Sequence, residues 1–224
     1  MFFLTLCFLQ LSCTSRSKRA GTGASQSRGK HFGGSLVNAS YLENDGFGFV
    51  KILRNRKRNY GNAVMVSFVE DVAKWNKSKD SKTERLQIGD LSRKHGGKTL
   101  QHKSHQNGLD VDIVYLRKSR REEGLYGTYW ESHFVKRKKL DPDFDLPRNA
   151  ALLLRVLEDP RVYRVFVDTV IRDAVLKYFK TASLDAKQRK NFSKLIAQNL
   201  HKTHFHVRLY CPKKDRTCVG QRAS

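Results

Sequence analysis

Residues 102–115 read HKSHQNGLDVDIVY. Two histidines and two aspartates surround one glycine, and the run then turns apolar. Solubility does not require carboxylates gathered beside imidazoles, and a plain buried strand would avoid them. Successive side chains of a strand point to opposite faces. Asp110 and Asp112 therefore share one face of this run, with Leu109, Val111 and Ile113 behind them. Gly108 permits a tight turn that folds His105 back towards Asp112. The far end of the chain matches this pattern. Residues 201–211 read HKTHFHVRLYC, and the same alternation puts His204, His206, Arg208 and Tyr210 on one face, with Phe205, Val207 and Leu209 on the other. Two strands of this kind, each with an apolar back and a metal-binding front, fit side by side in one sheet.

Two neutral imidazoles and one carboxylate are enough to hold a zinc ion and leave a fourth position open for water. That open position separates catalytic zinc sites from closed structural ones. Zinc lowers the pKa of a bound water to about 7 and polarises a carbonyl oxygen. A lone histidine is more often an ordinary surface or core residue. Five of the eight histidines nevertheless fall in the two windows, at positions 102, 105, 201, 204 and 206. His31, His95 and His133 lie outside any motif and read as ordinary surface residues.

The 224 residues, 39% hydrophobic and 29% charged, suit one sizeable domain or a domain plus a tail. With 44 Lys+Arg against 21 Asp+Glu the net charge is +23, which implies a polyanionic neighbour: nucleic acid, an anionic membrane or a wall polymer. The basic residues are spread over the chain, so a generally cationic surface is the simplest account of them.

The run MFFLTLCFLQLSC at residues 1–13 is too short to span a bilayer and resembles the apolar core of a secretory signal. The basic, Ser/Gly-rich stretch up to Lys30 reads as a flexible linker. Residues 1–30 are thus expected to be leader and linker, and residues 31–224 the catalytic domain. Cys13 is a candidate lipid attachment site, the alternative being a cleaved signal. Cys211 and Cys218 flank the polar turn PKKDRT. In an exported protein they would pair; in a reducing cytosol they would be free thiols or metal ligands.

Strands are expected in GFGFVKIL, RLQIGDLS, LDVDIVYL, VYRVFVD and HFHVRLYC. Helical spacing appears in AVMVSFVEDVAKWNKS, PRNAALLLRVLED and TVIRDAVLKYF, and DAKQRKNFSKLIAQNL reads as a polar-faced helix. Residues 117–147 read as loop-rich. Strands and helices mix without a strict βαβ rhythm, so the expected class is α+β: a small central, mostly antiparallel sheet carrying the zinc site, flanked by helices.

SHQNGLDVDI together with HKTHFHVRLYCP resembles the penicillin-insensitive murein endopeptidase family, part of the wider group of zinc peptidases that share the lysostaphin, D-Ala-D-Ala peptidase and hedgehog fold. GFGFVKILRNRKRNYGN, LQIGDLSRKHGG and VYRVFVDTVIRDAVLKYF are similar to further segments, so the likeness covers nearly all of residues 44–221. It implies that His105, Asp112 and His206 bind one catalytic zinc ion, a second ion being the open alternative. His204 would be the catalytic histidine, acting as a general base or stabilising an oxyanion as an imidazolium. His102 and His201 would line the cleft, and Cys211 and Cys218 would brace the site as a disulfide. Asp110, on the ligand face, would orient a ligand imidazole, the alternative being a solvated strand aspartate.

The resemblance further implies an exported, periplasmic hydrolase that cuts D-alanyl–meso-diaminopimelyl cross-links of peptidoglycan, with an outer-membrane lipid anchor if Cys13 is acylated. A D,D-carboxypeptidase on the same scaffold and a wall-binding relative without catalysis are the neighbouring readings. A basic nucleic-acid-binding protein with a structural metal is the reading from another class. The secretory leader, the lack of any nucleic-acid-binding motif and the open ligand set speak against it, so no nucleic-acid partner is expected. Oligomeric state is not legible here.

Overall fold

A computed structural model of the protein describes residues 23–180 and 184–222. The apolar leader with its candidate lipid site Cys13 lies outside the described residues. The N-terminal strands are β1 (Gln26–Arg28), β2 (Ser35–Val37), β3 (Ser40–Tyr41), β4 (Asp45–Gly46), β5 (Phe49–Lys51) and β6 (Tyr60–Gly61). Helix α1 (Ala63–Lys79), β7 (Leu86–Ile88), β8 (Asp110–Val114), β9 (Val135–Lys136), β10 (Lys139–Leu140) and α2 (Leu146–Glu158) follow. The chain ends through β11 (Val162–Val167), α3 (Thr169–Lys180), α4 (Ala186–Asn191), β12 (Leu195–Ala197) and β13 (His204–Leu209).

Seven strands form the central sheet in the order β12-β11-β13-β8-β7-β5-β4. The pairs β11/β12 and β5/β7 are parallel, and the other four pairings are antiparallel. The α+β class and the mostly antiparallel sheet are as expected, although seven strands are more than a small sheet implied. β8 and β13 lie side by side at its centre, with His206 opposite Asp112 and Arg208 opposite Asp110. Their apolar backs enter one core: Val111, Ile113, Phe205 and Val207 are buried together with Phe68 and Val69 of α1 and Leu153 and Val156 of α2. Burying an aromatic or branched side chain of this size contributes roughly 1.5–3 kcal/mol. This face therefore fixes the register, since a slip of one residue would put the imidazoles into the core.

Local signals set the helices. The Asn62 side chain accepts from the Val64 amide to open α1, and the Asp145 side chain accepts from the Arg148 amide to open α2, which carries Pro147 in its first turn. The stretch from Asp185 to Leu200 departs from expectation. A capping box between Asp185 and Gln188 starts α4, but the helix stops at Asn191 and the chain enters β12 after a short 3-10 turn at Phe192–Lys194. Leu195 is buried in the core and pairs in parallel with Val165 on β11. Tertiary pairing of an apolar segment has overridden helical periodicity there.

The folded unit also begins earlier than residue 31. Strand β1 lies within the expected linker and pairs with β2, and its Ser27 is fully buried, its amide donating to Asp215 Oδ2 at 2.8 Å. Cys211 and Cys218 form a disulfide with Cα atoms 5.8 Å apart. The loop it closes receives the N-terminal segment: the Gly29 amide donates to Thr217 O, and the Val219 amide donates to Gly29 O, both at 2.9 Å. No described helix is long and apolar enough to cross a membrane.

Candidate metal centre

β8 and β13 carry Asp112 and His206 as cross-strand neighbours, and the turn before β8 delivers His105. Gly108 has φ of +75°, and a Cβ there would come within 2.9 Å of the Asn62 backbone nitrogen, so this turn needs glycine. His105 has φ of +62°, an uncommon conformation for a side-chain-bearing residue. Its amide donates to Asp110 Oδ2 at 3.1 Å, which holds it there.

Three atoms converge as a result. His105 Nε2 lies 3.2 Å from His206 Nδ1, and each lies 3.3 Å from Asp112 Oδ1. Donors about 2.0–2.2 Å from a tetrahedral zinc stand roughly 3.3–3.6 Å apart, close to this triangle. The tautomers agree. His105 Nδ1 donates to Leu91 O at 2.8 Å, and His206 Nε2 donates to Asp110 Oδ1 at 2.7 Å. In the neutral tautomers these bonds favour, each ring turns an unprotonated nitrogen towards the other, and a cation between them, a metal ion or a proton, relieves the repulsion. Both carboxylate oxygens of Asp112 are buried without a hydrogen-bond partner. A buried carboxylate without donors is costly, and a divalent cation would satisfy it.

The other site candidates gather around this triangle. His102, His105 and Asp112 form a group close enough to hold a metal ion. His102 Nε2, however, lies 2.7 Å from Asp90 Oδ2 and 3.8 Å from Asp112 Oδ2, so that nitrogen is engaged elsewhere. His204 Nε2 lies 3.5 Å from Asp112 Oδ1, and His204 Nδ1 is 2.7 Å from Thr203 Oγ1. Burial pushes the His204 imidazole down to about 3 and His201 down to about 4, with neighbouring histidines adding to the effect. Both rings are neutral in neutral solution. His201 packs 6.1 Å from Phe166 and 5.3 Å from His204 between ring centroids. For Asp112 burial acts upward, but His105 and His204 outweigh it and hold the carboxyl well below the usual range.

Asp110 is fully buried, which removes the solvated-aspartate alternative. It ties the two windows together. Its Oδ1 accepts from His206 Nε2 and from Arg208 Nε, each at 2.7 Å, while its Oδ2 takes the His105 amide. His31, expected on the surface, is buried with Nδ1 3.4 Å from Asp110 Oδ2. The disulfide loop holds Gly29, and two residues later His31 reaches the carboxylate behind a candidate ligand. His95 and His133 are exposed as expected.

Sequence spacing also missed Asp90 and Trp130. Asp90 follows β7, and its buried carboxylate accepts from Arg56 (2.8 Å), Arg58 (3.0 Å) and His102 (2.7 Å). The one signal available was a lone acid among cationic segments. Trp130 stacks on His204 with centroids 4.2 Å apart and planes at 21°. Gly89 makes room for it, since a Cβ there would collide with the indole and lie 3.2 Å from Asp112 Cβ. Gly89→Ala should fold, because the colliding atom is the tip of a side chain, but it should push the indole off His204. Trp75 is the other tryptophan, so fluorescence of Gly89→Ala in a Trp75→Phe background reports the displacement directly. A concurrent fall of about tenfold to a hundredfold in turnover is expected from misplacing a site group by about an ångström.

His102, Asp112, Trp130, His201, His204 and His206 line a cleft of about 930 Å³ together with Phe32, Leu100, Phe166, Leu200 and Arg208. Comparison with known proteins identifies the family. The family model for penicillin-insensitive murein endopeptidase matches residues 27–224. The penicillin-insensitive murein endopeptidase of Haemophilus influenzae is 29% identical over 197 residues, covering 86% of this chain and 66% of the relative. The protein of that name from Klebsiella pneumoniae strain 342 is 30% identical over 212 residues, covering 89% of this chain and 71% of its own length. A third, from Yersinia pestis, is 28% identical over 204 residues. This chain is thus a peptidase that belongs to the penicillin-insensitive murein endopeptidase family.

Proposed function

We propose that the chain is an exported, zinc-dependent DD-endopeptidase that hydrolyses D-alanyl–meso-diaminopimelyl cross-links of peptidoglycan. The observation that carries this reading is the triangle of His105 Nε2, His206 Nδ1 and Asp112 Oδ1, with sides of 3.2–3.3 Å. These three residues would hold the zinc, which supplies an acidified water and a Lewis acid for the scissile carbonyl. His204, neutral through burial, accepts a proton and passes it towards the leaving amine. Asp110 holds the His206 tautomer, and His102 and His201 border the bound peptide. No serine takes part, so a β-lactam has nothing to acylate.

The cationic surface suits an anionic wall mesh. The disulfide supports an oxidising compartment, the periplasm. In this reading the apolar run at residues 1–13 serves export, with Cys13 as the lipid site if the chain is anchored.

Digestion of purified sacculi, with and without a chelator, tests the assignment. Cross-linked dimers should disappear only when zinc is present, and their persistence would refute the endopeptidase. A D,D-carboxypeptidase would instead trim monomeric pentapeptide and spare the dimer. His204→Ala should keep its zinc, by elemental analysis, while turnover falls by about 10²–10⁴, the range for losing a general base. Retained activity would remove His204 from that role.

A further inference from the structure

Arg208 follows His206 by one pleat on β13 and lines the same cleft. Its Nε donates to Asp110 Oδ1 at 2.7 Å, and its guanidinium sits 5.2 Å from the centre of the Phe166 ring. These two contacts fix the plane of the group. A guanidinium carries five N–H donors, and this one spends a single donor on protein. No described residue bonds its two terminal nitrogens.

Asp110 meets only the Nε edge of the guanidinium, and its charge is shared. The same carboxylate serves His206, the His105 amide and His31. Across the sheet Arg164 faces Arg208 in register and adds a second cation. The other cleft cations are placed differently. Arg56 is spent on Asp90 and on the Thr128 carbonyl. Lys103 is exposed and has no fork with which to read a plane. The cleft beyond His206 thus holds one immobilised, uncommitted guanidinium fork, the geometry that takes a carboxylate through two parallel bonds.

We infer that Arg208 is a specificity-determining residue that receives the free carboxylate on the carbon bearing the leaving amine, on the diaminopimelyl side of the scissile amide. The inference rests on the endopeptidase reading above. That carboxylate is two bonds from the scissile nitrogen, and side chains one pleat apart on a strand are about 7 Å apart. A peptide whose carbonyl lies at the His105–Asp112–His206 triangle can therefore present it to Arg208.

The test uses two cross-linked dimers that differ only in this group, one carrying the free carboxylate and one the carboxamide. Wild-type enzyme with zinc should favour the carboxylate by about 30-fold or more in kcat/KM, the scale of a charge-assisted hydrogen bond. Arg208→Gln should cleave both dimers with a preference below about threefold, and Arg208→Lys should fall between, since it keeps the charge without the fork. Disturbance of Asp110 and His206 in these variants lowers both rates alike and cancels in the ratio.

Equal cleavage of both dimers by the wild type would overturn the assignment. So would a preference that survives in Arg208→Gln. Should Arg208→Gln not fold, a full wild-type preference in Arg208→Lys would overturn it, and an intermediate one would support it. Cleavage of neither dimer by zinc-loaded wild type would mark failure of the endopeptidase reading itself, and this assignment would fall with it.

Discussion

Asp112→Asn protein is expected to purify folded, to carry little zinc, and to digest sacculi about a thousandfold more slowly than wild type. A thousandfold is about 4 kcal/mol of barrier, within what a bound metal's charge supplies to a developing oxyanion. The side chain is fully buried and neither carboxylate oxygen has a hydrogen-bond partner, so in the metal-free chain its charge is offset only by the neighbouring imidazoles, His105 first. Asparagine keeps the volume and removes that charge. The metal-free variant should therefore melt somewhat below metal-free wild type, through loss of that imidazole pairing, while function is lost outright.

Thermal melts separate this account from a structural one. On the proposed function zinc binds the folded state, so it should raise the wild-type Tm and a chelator should reverse the rise. In Asp112→Asn the melts with zinc and with chelator should coincide. A variant that still gains Tm from zinc would show that His102, which groups with His105 and Asp112, takes over as a ligand. A variant that melts far below metal-free wild type would show that Asp112 is a packing residue instead.

The two windows were legible because hydrolytic metal chemistry needs histidine and aspartate, and a strand displays them at intervals of two. That rule groups Asp110 with Asp112 and His204 with His206, the Gly108 turn brings His105 towards them, and the ligand set itself follows from the family resemblance. The apolar alternation of Val111 and Ile113 with Phe205 and Val207 likewise announced adjacent strands over a shared core. What supports the site was not legible. His31 reaches Asp110 from 79 positions away (110 − 31) through a disulfide-closed loop, and no local period marks that contact. Trp130 comes from a loop-rich region and depends on Gly89, whose small size matters only because of its neighbours. Residues 195–197 show the converse failure. Their periodicity was compatible with a helix, and only the open edge of β11 made them a strand.

Asp90→Asn should give the largest loss of stability. The carboxylate is buried beneath the site, and burial alone would raise its pKa. His102, Lys51 and Arg56 outweigh that effect and hold it at about 2. Removing the charge leaves Arg56 and Arg58 buried without their shared partner, and breaking such a cluster costs about 3–5 kcal/mol. In a chain of this size each kcal/mol is worth about 2–4 °C, so Tm should fall by about 10 °C or more.

Lys51 tempers the cost. Burial lowers its ammonium to about 8 even with Asp90 beside it, so without Asp90 it can shed its proton near neutrality, which neither arginine can do. The pH dependence has a definite sign. A carboxyl whose folded pKa is depressed from 3.8 to about 2 stabilises fully above the unfolded value, and that stability is lost as pH falls through the window between the two. Metal-free wild type should therefore lose on the order of 2 kcal/mol from this group between about pH 4 and pH 2, and Asp90→Asn should lack that component. Denaturant melts of both proteins in chelator across this range measure it without interference from zinc. An Asp90→Asn chain as stable as wild type at pH 7 would show that the two arginines are hydrated in solution, and that His102 is held by something other than this carboxylate.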